Sequence, residues 1–357
     1  MNVNSLRYMQ VKEQLVQLIA SLKPHDRLPS RTILSETYQA ARTTIERAIS
    51  ELIGEGLLYA RDGSGTYVTE KPTGRTIEPD KGIANWGLLI PDILHYIYPG
   101  IVRGVSDIAS DREINLIICN TDNEYEKQTK YIHKLAGSGV QGVVIVPAIS
   151  GTVDLNPFYR LQEADIPFVF CHRFVEGIQA PRVISNNFYA GYIATKHLIA
   201  NGYERIAYIS RPVYSTSSER YQGYVSALME ANIQVRTEWV LFEPTFETEG
   251  EGYISAQRML RMEERPDAIF CFNDGIAKGV CDAAAEMGLA VGSEIGVVGC
   301  DNTNICETLP IKLTSVKFQT YEMGALAAQL LQERPSQDNQ TVVLQPELWI
   351  RESSLKN

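Results

Sequence analysis

The chain has 357 residues, 44% of them hydrophobic, which allows two or three domains with sizeable cores and excludes a disordered protein. Its net charge of −10 argues against a strong unspecific hold on nucleic acid, yet residues 1–70 carry eight basic and eight acidic side chains, so the whole excess lies beyond residue 70. The six cysteines form no CxxC pair, and no apolar run is long enough to cross a membrane. This predicts a cytoplasmic protein with reduced core cysteines and no disulfide framework.

Val11, Leu15, Leu18, Ile19 and Leu22 recur at helical spacing and predict a first amphipathic helix, stopped at Lys23-Pro24 because proline disfavours helix in the residue before it. Ser30 can cap a second helix that runs to about Tyr38. A third follows, in which Ile45, Ala48, Ile49, Leu52 and Ile53 form one apolar stripe. Arg42, Thr43 and Thr44 stand at its start, where backbone N–H groups and the helix dipole favour phosphate. An ordinary capped helix start is the competing reading. Leu57–Arg61 and Thr66–Thr69 then alternate like strands around the turn Asp62-Gly63-Ser64-Gly65.

The segments LPS (28–30), RTT (42–44), ELIGEGLL (51–58) and GSGTYV (63–68) resemble the winged helix-turn-helix of the gluconate-repressor (GntR) family. The resemblance implies that the third helix enters the major groove and that the wing lies along the backbone. Arg42, Thr43, Thr44, Gly63 and Gly65 are then the expected DNA contacts. Family members usually carry arginine where Thr32 and Glu46 stand here. Neighbouring Arg31 and Arg47 are the candidates to substitute.

Residues 70–84, EKPTGRTIEPDKGIA, read as a linker between a first domain, 1–69, and a second, 85–357. From there, short apolar runs alternate with helical stretches: WGLLIP (86–91), INLIICN (114–120), GVVIVP (142–147), PFVFC (167–171), RIAYIS (205–210), AIFCF (268–272) and IGVVG (295–299). Such runs suit strands buried on both faces of a parallel sheet, so the fold class is α/β, with two doubly wound sheets.

The stretches PDI with YPGIVRG (91–104), GVQGVVIVPA (139–148), IPFVFCHR (166–173), ERYQGY (219–224), FNDGIAKGV (272–280) and GVVGCDN (296–302) make this second segment similar to the effector core of the lac-repressor family, built like periplasmic sugar-binding proteins. That likeness implies two lobes, 85–186 with 317–340 and 187–316 with 341–357, and a sugar in the cleft between them. Ligands of open α/β sheets bind beyond the carboxyl ends of the strands, which directs attention to Arg173, Tyr214, Thr216, Asn273 and Asp301, with Arg220 on the following helix. Carboxylates and amides match adjacent hydroxyls, arginine forks across two oxygens, and Tyr98 and Phe246 can cover the apolar side of a ring. Each has an ordinary rival: a surface ion pair for Arg173, a turn cap for Asp301, an i to i+4 pair for Arg220, a core role for Tyr98 and Phe246. Phe318 stands where the family often has glutamine, suggesting a more apolar ligand face.

The chain shows no GxSxG elbow, HExxH or P-loop, and its five histidines have no metal-ligand spacing. Catalysis, a metal and a cofactor are therefore not expected. The expected partners are operator DNA, a small sugar, with a pentose or deoxyhexose favoured over a phosphosugar, and a second copy in a homodimer. The expected function is a sugar-responsive repressor of carbohydrate genes. An N-terminal domain that engages a protein instead of DNA, and co-repression or activation instead of induction, stand as alternatives.

Overall fold

The computed structural model describes residues 3–54, 57–61, 65–69, 84–243, 250, 252–333 and 340–356. Of the expected linker only Ala84 is among them, and Gly63 and Phe246 lie outside the described residues. The chain divides into two compact units, Met1–Lys81 and Gly82–Asn357.

In the first unit, helices α1 (Val3–Ser21), α2 (Arg31–Thr37) and α3 (Arg42–Gly54) precede an antiparallel hairpin of β1 (Leu58–Arg61) and β2 (Gly65–Val68). The Ser30 side chain accepts from the Ile33 amide at 3.4 Å, so the expected cap forms, and its loss would leave an orphan helix donor. The stripe on α3 does what its spacing requires. Ile45, Ala48, Ile49 and Leu52 are buried against Val11, Leu15, Ile19 and Leu34. Arg42, Thr43, Glu46, Arg47 and Ser50 are exposed together on the opposite face. Residues 25–28 add a third backbone rung to the hairpin through Leu28 N to Thr66 O and Val68 N to Asp26 O, at 2.8 and 2.9 Å.

The second unit holds two six-stranded sheets. The first lobe begins with β3 (Asn85–Ile90), α4 (Tyr98–Ser110), β4 (Asn115–Asn120), α5 (Tyr125–Gly137), β5 (Gly142–Ile145), α6 (Asn156–Glu163), β6 (Phe168–His172) and β7 (Arg182–Ser185). The second contains α7 (Asn187–Ala200), β8 (Ile206–Ser210), α8 (Ser215–Glu230), β9 (Val240–Phe242), α9 (Tyr253–Leu260), β10 (Ala268–Cys271), α10 (Asp274–Glu286), β11 (Gly296–Cys300), α11 (Ile305–Thr308) and β12 (Thr314–Lys317). The chain then returns to the first lobe for α12 (Thr320–Gln332) and β13 (Thr341–Leu344), and ends in the second with β14 (Glu347–Trp349). Strand orders are β13-β7-β6-β5-β3-β4, all parallel, and β14-β12-β11-β10-β8-β9, parallel except for β14. The chain therefore passes between lobes at 185–187, 317–320 and 344–347.

Two expectations need correction. Residues 341–344 were assigned to the second lobe, but β13 pairs with β7 and completes the first sheet. The run 114–120 is not buried on both faces: β4 is the edge strand, and Ile117 and Ile118 are 38% and 41% exposed. An edge has a neighbour on one side only, which an apolar run cannot reveal. The other expected strands do lie inside their sheets, and β5, β6, β8, β10 and β11 are buried along their whole length.

Helices α7 and α8 approach unusually closely because glycines face each other's backbone. A Cβ on Gly191 would fall on the carbonyl of Arg220, and one on Gly223 on the carbonyl of Phe188. This contact fixes the height of α8, and Arg220 with it, above the end of the second sheet.

Candidate functional site

The carboxyl ends of both sheets meet at a cavity of about 300 Å³ within the second unit. Tyr98, Arg173, Tyr214, Arg220, Asn273 and Asp301, all expected from the sequence, are brought together in its wall. Thr216 is not: it is 2% exposed in the first turn of α8 and turned away from the cavity. Phe318 does not face the cavity either. It lies behind Arg220, with its ring centroid 4.7 Å from the guanidinium carbon.

Arg220 is the most constrained of these side chains. It is 1% exposed, and its Nε donates to Asn187 Oδ1 at 3.1 Å while Nη1 donates to the Phe272 carbonyl. Phe272 stacks on its other face at 4.3 Å. Held on three sides, the guanidinium presents Nη2 toward Asp301, 3.9 Å from Oδ1, beyond a hydrogen bond. Asp301 Oδ1 is buried and has no hydrogen-bond partner. Burial raises the Asp301 carboxyl above the usual carboxylate range, with Arg220 pulling the other way. Asp301 takes a left-handed φ of 96°, which costs on the order of 1–3 kcal/mol for a residue with a Cβ. Its amide bond to Val316 O at 2.8 Å holds this turn, which swings the carboxylate out of the strand direction into the cavity.

The first lobe answers with Arg173, 3% exposed just beyond β6. Its Nη2 donates to Asn123 Oδ1 at 3.0 Å and to the Tyr98 hydroxyl at 3.4 Å, and its guanidinium carbon lies 5.7 Å from the ring centroid of Tyr214 in the opposite lobe. His172 precedes it with φ 68° and an unpartnered Nδ1. Burial pushes the His172 pKa well below its usual value, and the neighbouring Arg173, Arg220 and His95 push it the same way, which favours the neutral imidazole. Three unpartnered atoms therefore belong to residues of one cavity wall: Arg173 Nε and His172 Nδ1 from the first lobe are buried without partners, as is Asp301 Oδ1 from the second. Buried polar atoms without partners are rare in folded proteins and mark places completed by something else.

The cavity also contains residues not singled out from sequence, among them Asp92, Asn123, Arg211 and Phe272. Asp92, Asn123 and Arg211 follow β3, β4 and β8, so the rule of looking beyond each strand end would have found them. The participation of His172 depends on its left-handed backbone, which no pattern announced. Asn273, in contrast, spends its side-chain oxygen capping α10, accepting from the Ile276 amide at 2.8 Å. Only its amide group is left for a ligand.

In the first unit, Arg42, Thr43 and Arg47 are on the exposed face of α3 and Thr44 is half-buried. Arg42 is paired with Glu46 at 3.1 Å and Arg47 with Glu51 at 3.8 Å. Arg31 donates to Thr66 Oγ1 in β2 at 2.8 Å, tying α2 to the hairpin. Gly65 has φ 133°, and a Cβ there would meet the Arg27 side chain.

Residues 7–68 match the pattern of bacterial regulatory proteins of the gntR family, and residues 195–354 that of a periplasmic binding protein-like domain. The arabinose metabolism transcriptional repressor of Geobacillus stearothermophilus is 28% identical, over 98% of this chain and 97% of its own. An HTH-type transcriptional repressor PurR from Vibrio campbellii is 34% identical, over 91% and 93%. A solved LacI family transcriptional regulator from Enterococcus faecium, with bound ribose, superposes with a TM-score of 0.64 and 26% identity, over 75% of this chain and 98% of that one.

Proposed function

Because the chain belongs to the bacterial transcriptional repressors, with a gntR family DNA-binding domain followed by a periplasmic binding protein-like domain, we propose that it is a repressor released from its operator by a small sugar. The observation that carries this reading is the convergence of unpartnered buried polar atoms from both lobes, Arg173 Nε and His172 Nδ1 against Asp301 Oδ1, on one cavity. A sugar hydroxyl both donates and accepts, so a polyol satisfies a carboxylate and a guanidinium at once. Tyr98, Tyr214 and Phe272 supply apolar surface for the carbon skeleton.

Binding that satisfies both walls favours the closed arrangement of the lobes over the open one, by the difference in contacts the ligand makes in each. The three crossings then act as the hinge. In a symmetric dimer, closure changes the spacing of two α3 helices relative to half-sites one helical turn apart, so sugar and DNA select different arrangements and each weakens the other. On this reading Arg42, Thr43, Thr44 and Arg47 contact DNA, with Arg31 and Gly65 shaping the wing, and the protein acts in the cytoplasm as a homodimer. A thermal-shift screen of the full-length protein against pentoses, deoxyhexoses and hexoses tests it, because a ligand of the folded state raises its melting temperature by mass action. A raised midpoint with one sugar, and loss of that rise in Asp301→Ala, is the expected result. A flat response across the panel contradicts the proposal.

A further inference from the structure

The two buried arginines of the cavity are not equivalent. Arg220 has a carboxylate facing it, Asp301 at 3.9 Å. Arg173 has none: among the described residues no carboxylate lies within ion-pair distance of its guanidinium, whose bonds go to the neutral oxygens of Asn123 and Tyr98. The two acids of the first-lobe wall, Asp92 and Asp122, make their hydrogen bonds elsewhere. Asp92 accepts from the Leu94 amide at 2.9 Å, and Asp122 is held by Lys127 and Asn120. The Arg173 side chain is nonetheless buried, at 3% exposure, and its Nε has no hydrogen-bond partner. Arg211 adds a further guanidinium to the same wall. A buried guanidinium without a counter-charge is costly, and closing the lobes removes the remaining water.

We infer that the effector carries an anionic oxygen group, a carboxylate or a phosphate, which Arg173 binds through its free Nε edge. The inference rests on the proposed sugar reading and refines it from a neutral sugar to a sugar acid or sugar phosphate. It fixes the ligand's direction. The anion lies against Arg173 in the first lobe, next to His172, and the hydroxyls lie against Asp301, the Asn273 amide and Arg220 Nη2 in the second. One molecule thus supplies the missing counter-charge to one lobe and the missing donors to the other. The inference departs from the expectation from sequence, which favoured a neutral pentose or deoxyhexose, because three arginines, Arg173, Arg211 and Arg220, line the cavity.

Calorimetry on the full-length protein decides it, with D-galacturonate, D-glucuronate and D-gluconate set against their neutral parents D-galactose and D-glucose, and with D-glucose 6-phosphate as the phosphate arm. The anionic compound that binds does so roughly 10- to 100-fold more tightly than its neutral parent, the value of a buried charge-assisted fork. Binding confined to the uronates or aldonates identifies a carboxylate, and binding confined to the ester a phosphate. In Arg173→Gln the preference for the acid collapses toward one. Arg173→Lys, which keeps the charge without the fork, retains part of it, and unchanged circular dichroism of both variants shows that they fold. A neutral parent that binds as tightly as its acid overturns the inference and leaves the sugar reading standing. No binding by any sugar, acid or ester overturns both.

Discussion

In the N-terminal unit Arg42 and Arg47 stand in water, each with a glutamate one helical turn further on at 3.1 and 3.8 Å. In the two-lobed unit Arg220 is 1% exposed, stacked between two rings and fixed by two hydrogen bonds. The exposed pairs contribute little to stability and open readily, so their guanidinium groups can exchange a carboxylate for a phosphate. The buried guanidinium cannot move, and this makes it a template. On the proposed function, one unit keeps its charges mobile for DNA that must be found and released, and the other holds them rigid for a small molecule.

The comparison can be broken at its strongest point. Arg220→Ala removes the packing between Phe272 and Phe318 and leaves Asp301 buried and unmatched, a loss on the order of 3–5 kcal/mol in urea unfolding. Arg42→Ala should leave the unfolding midpoint of the protein unchanged. Equal midpoints in the two variants would show that burial does not separate these arginines.

A second effect comes from the carboxylate beneath Asp301. Asp274 accepts from the Thr303 amide at 2.7 Å, the Ser315 hydroxyl at 2.6 Å and the Cys306 thiol at 3.3 Å. Burial first, and the nearby Asp301 second, raise its pKa from 3.8 to about 7. The folded protein therefore holds a proton that the unfolded chain releases between those values, and stability from this group falls as pH rises from 3.8 to about 7. Relative to Asp274→Asn, the wild type should lose stability with rising pH at on the order of 1 kcal/mol per pH unit across that window. Parallel pH profiles for the two proteins would place the Asp274 pKa near its usual value.

Gly223→Ala tests how the fold holds Arg220 in place. The added Cβ falls on the Phe188 carbonyl and must part α7 from α8, at about 1–3 kcal/mol for overpacking of this kind. Because Arg220 rides on α8, effector affinity should fall with stability. A variant that is destabilised yet binds with full affinity would separate the helix contact from the cavity.

The smallest expected change is on α3. Glu46→Gln removes the carboxylate that competes with phosphate for Arg42, so affinity for arbitrary duplex should rise a few-fold, while Arg42→Ala should flatten the salt slope by about one, as for one lost phosphate contact. An unchanged salt slope of Arg42→Ala in fluorescence anisotropy would mean that Arg42 does not reach the backbone.

Much of this could be read from residues alone, and the pattern of failures is physical. Helical and parallel-strand periodicities are local, so α3 and the inner strands stood out. Placement at a sheet edge is not local, so the apolar run of β4 reads like an interior strand and nothing in the residues of β13 marks it for the first sheet. In the cavity, the rule of strand ends found Arg173, Asn273 and Asp301, while Thr216 obeyed the same rule and turned inward on α8. His172 was missed because its role follows from a left-handed φ. The unmatched charge of Arg173 was missed because it depends on which carboxylates are already engaged, and only three-dimensional contacts reveal that.

On the proposed function, filling of the cavity controls the hold of α3 on DNA. Anisotropy of a labelled duplex from the chain's own upstream region, titrated with the compound found in the calorimetric panel, tests it most directly in the wild type and in Asp301→Ala. The account predicts that the wild type releases the duplex as the cavity fills, while the variant binds the duplex equally well and holds it at every concentration. Release from the variant at the wild-type concentration would contradict it.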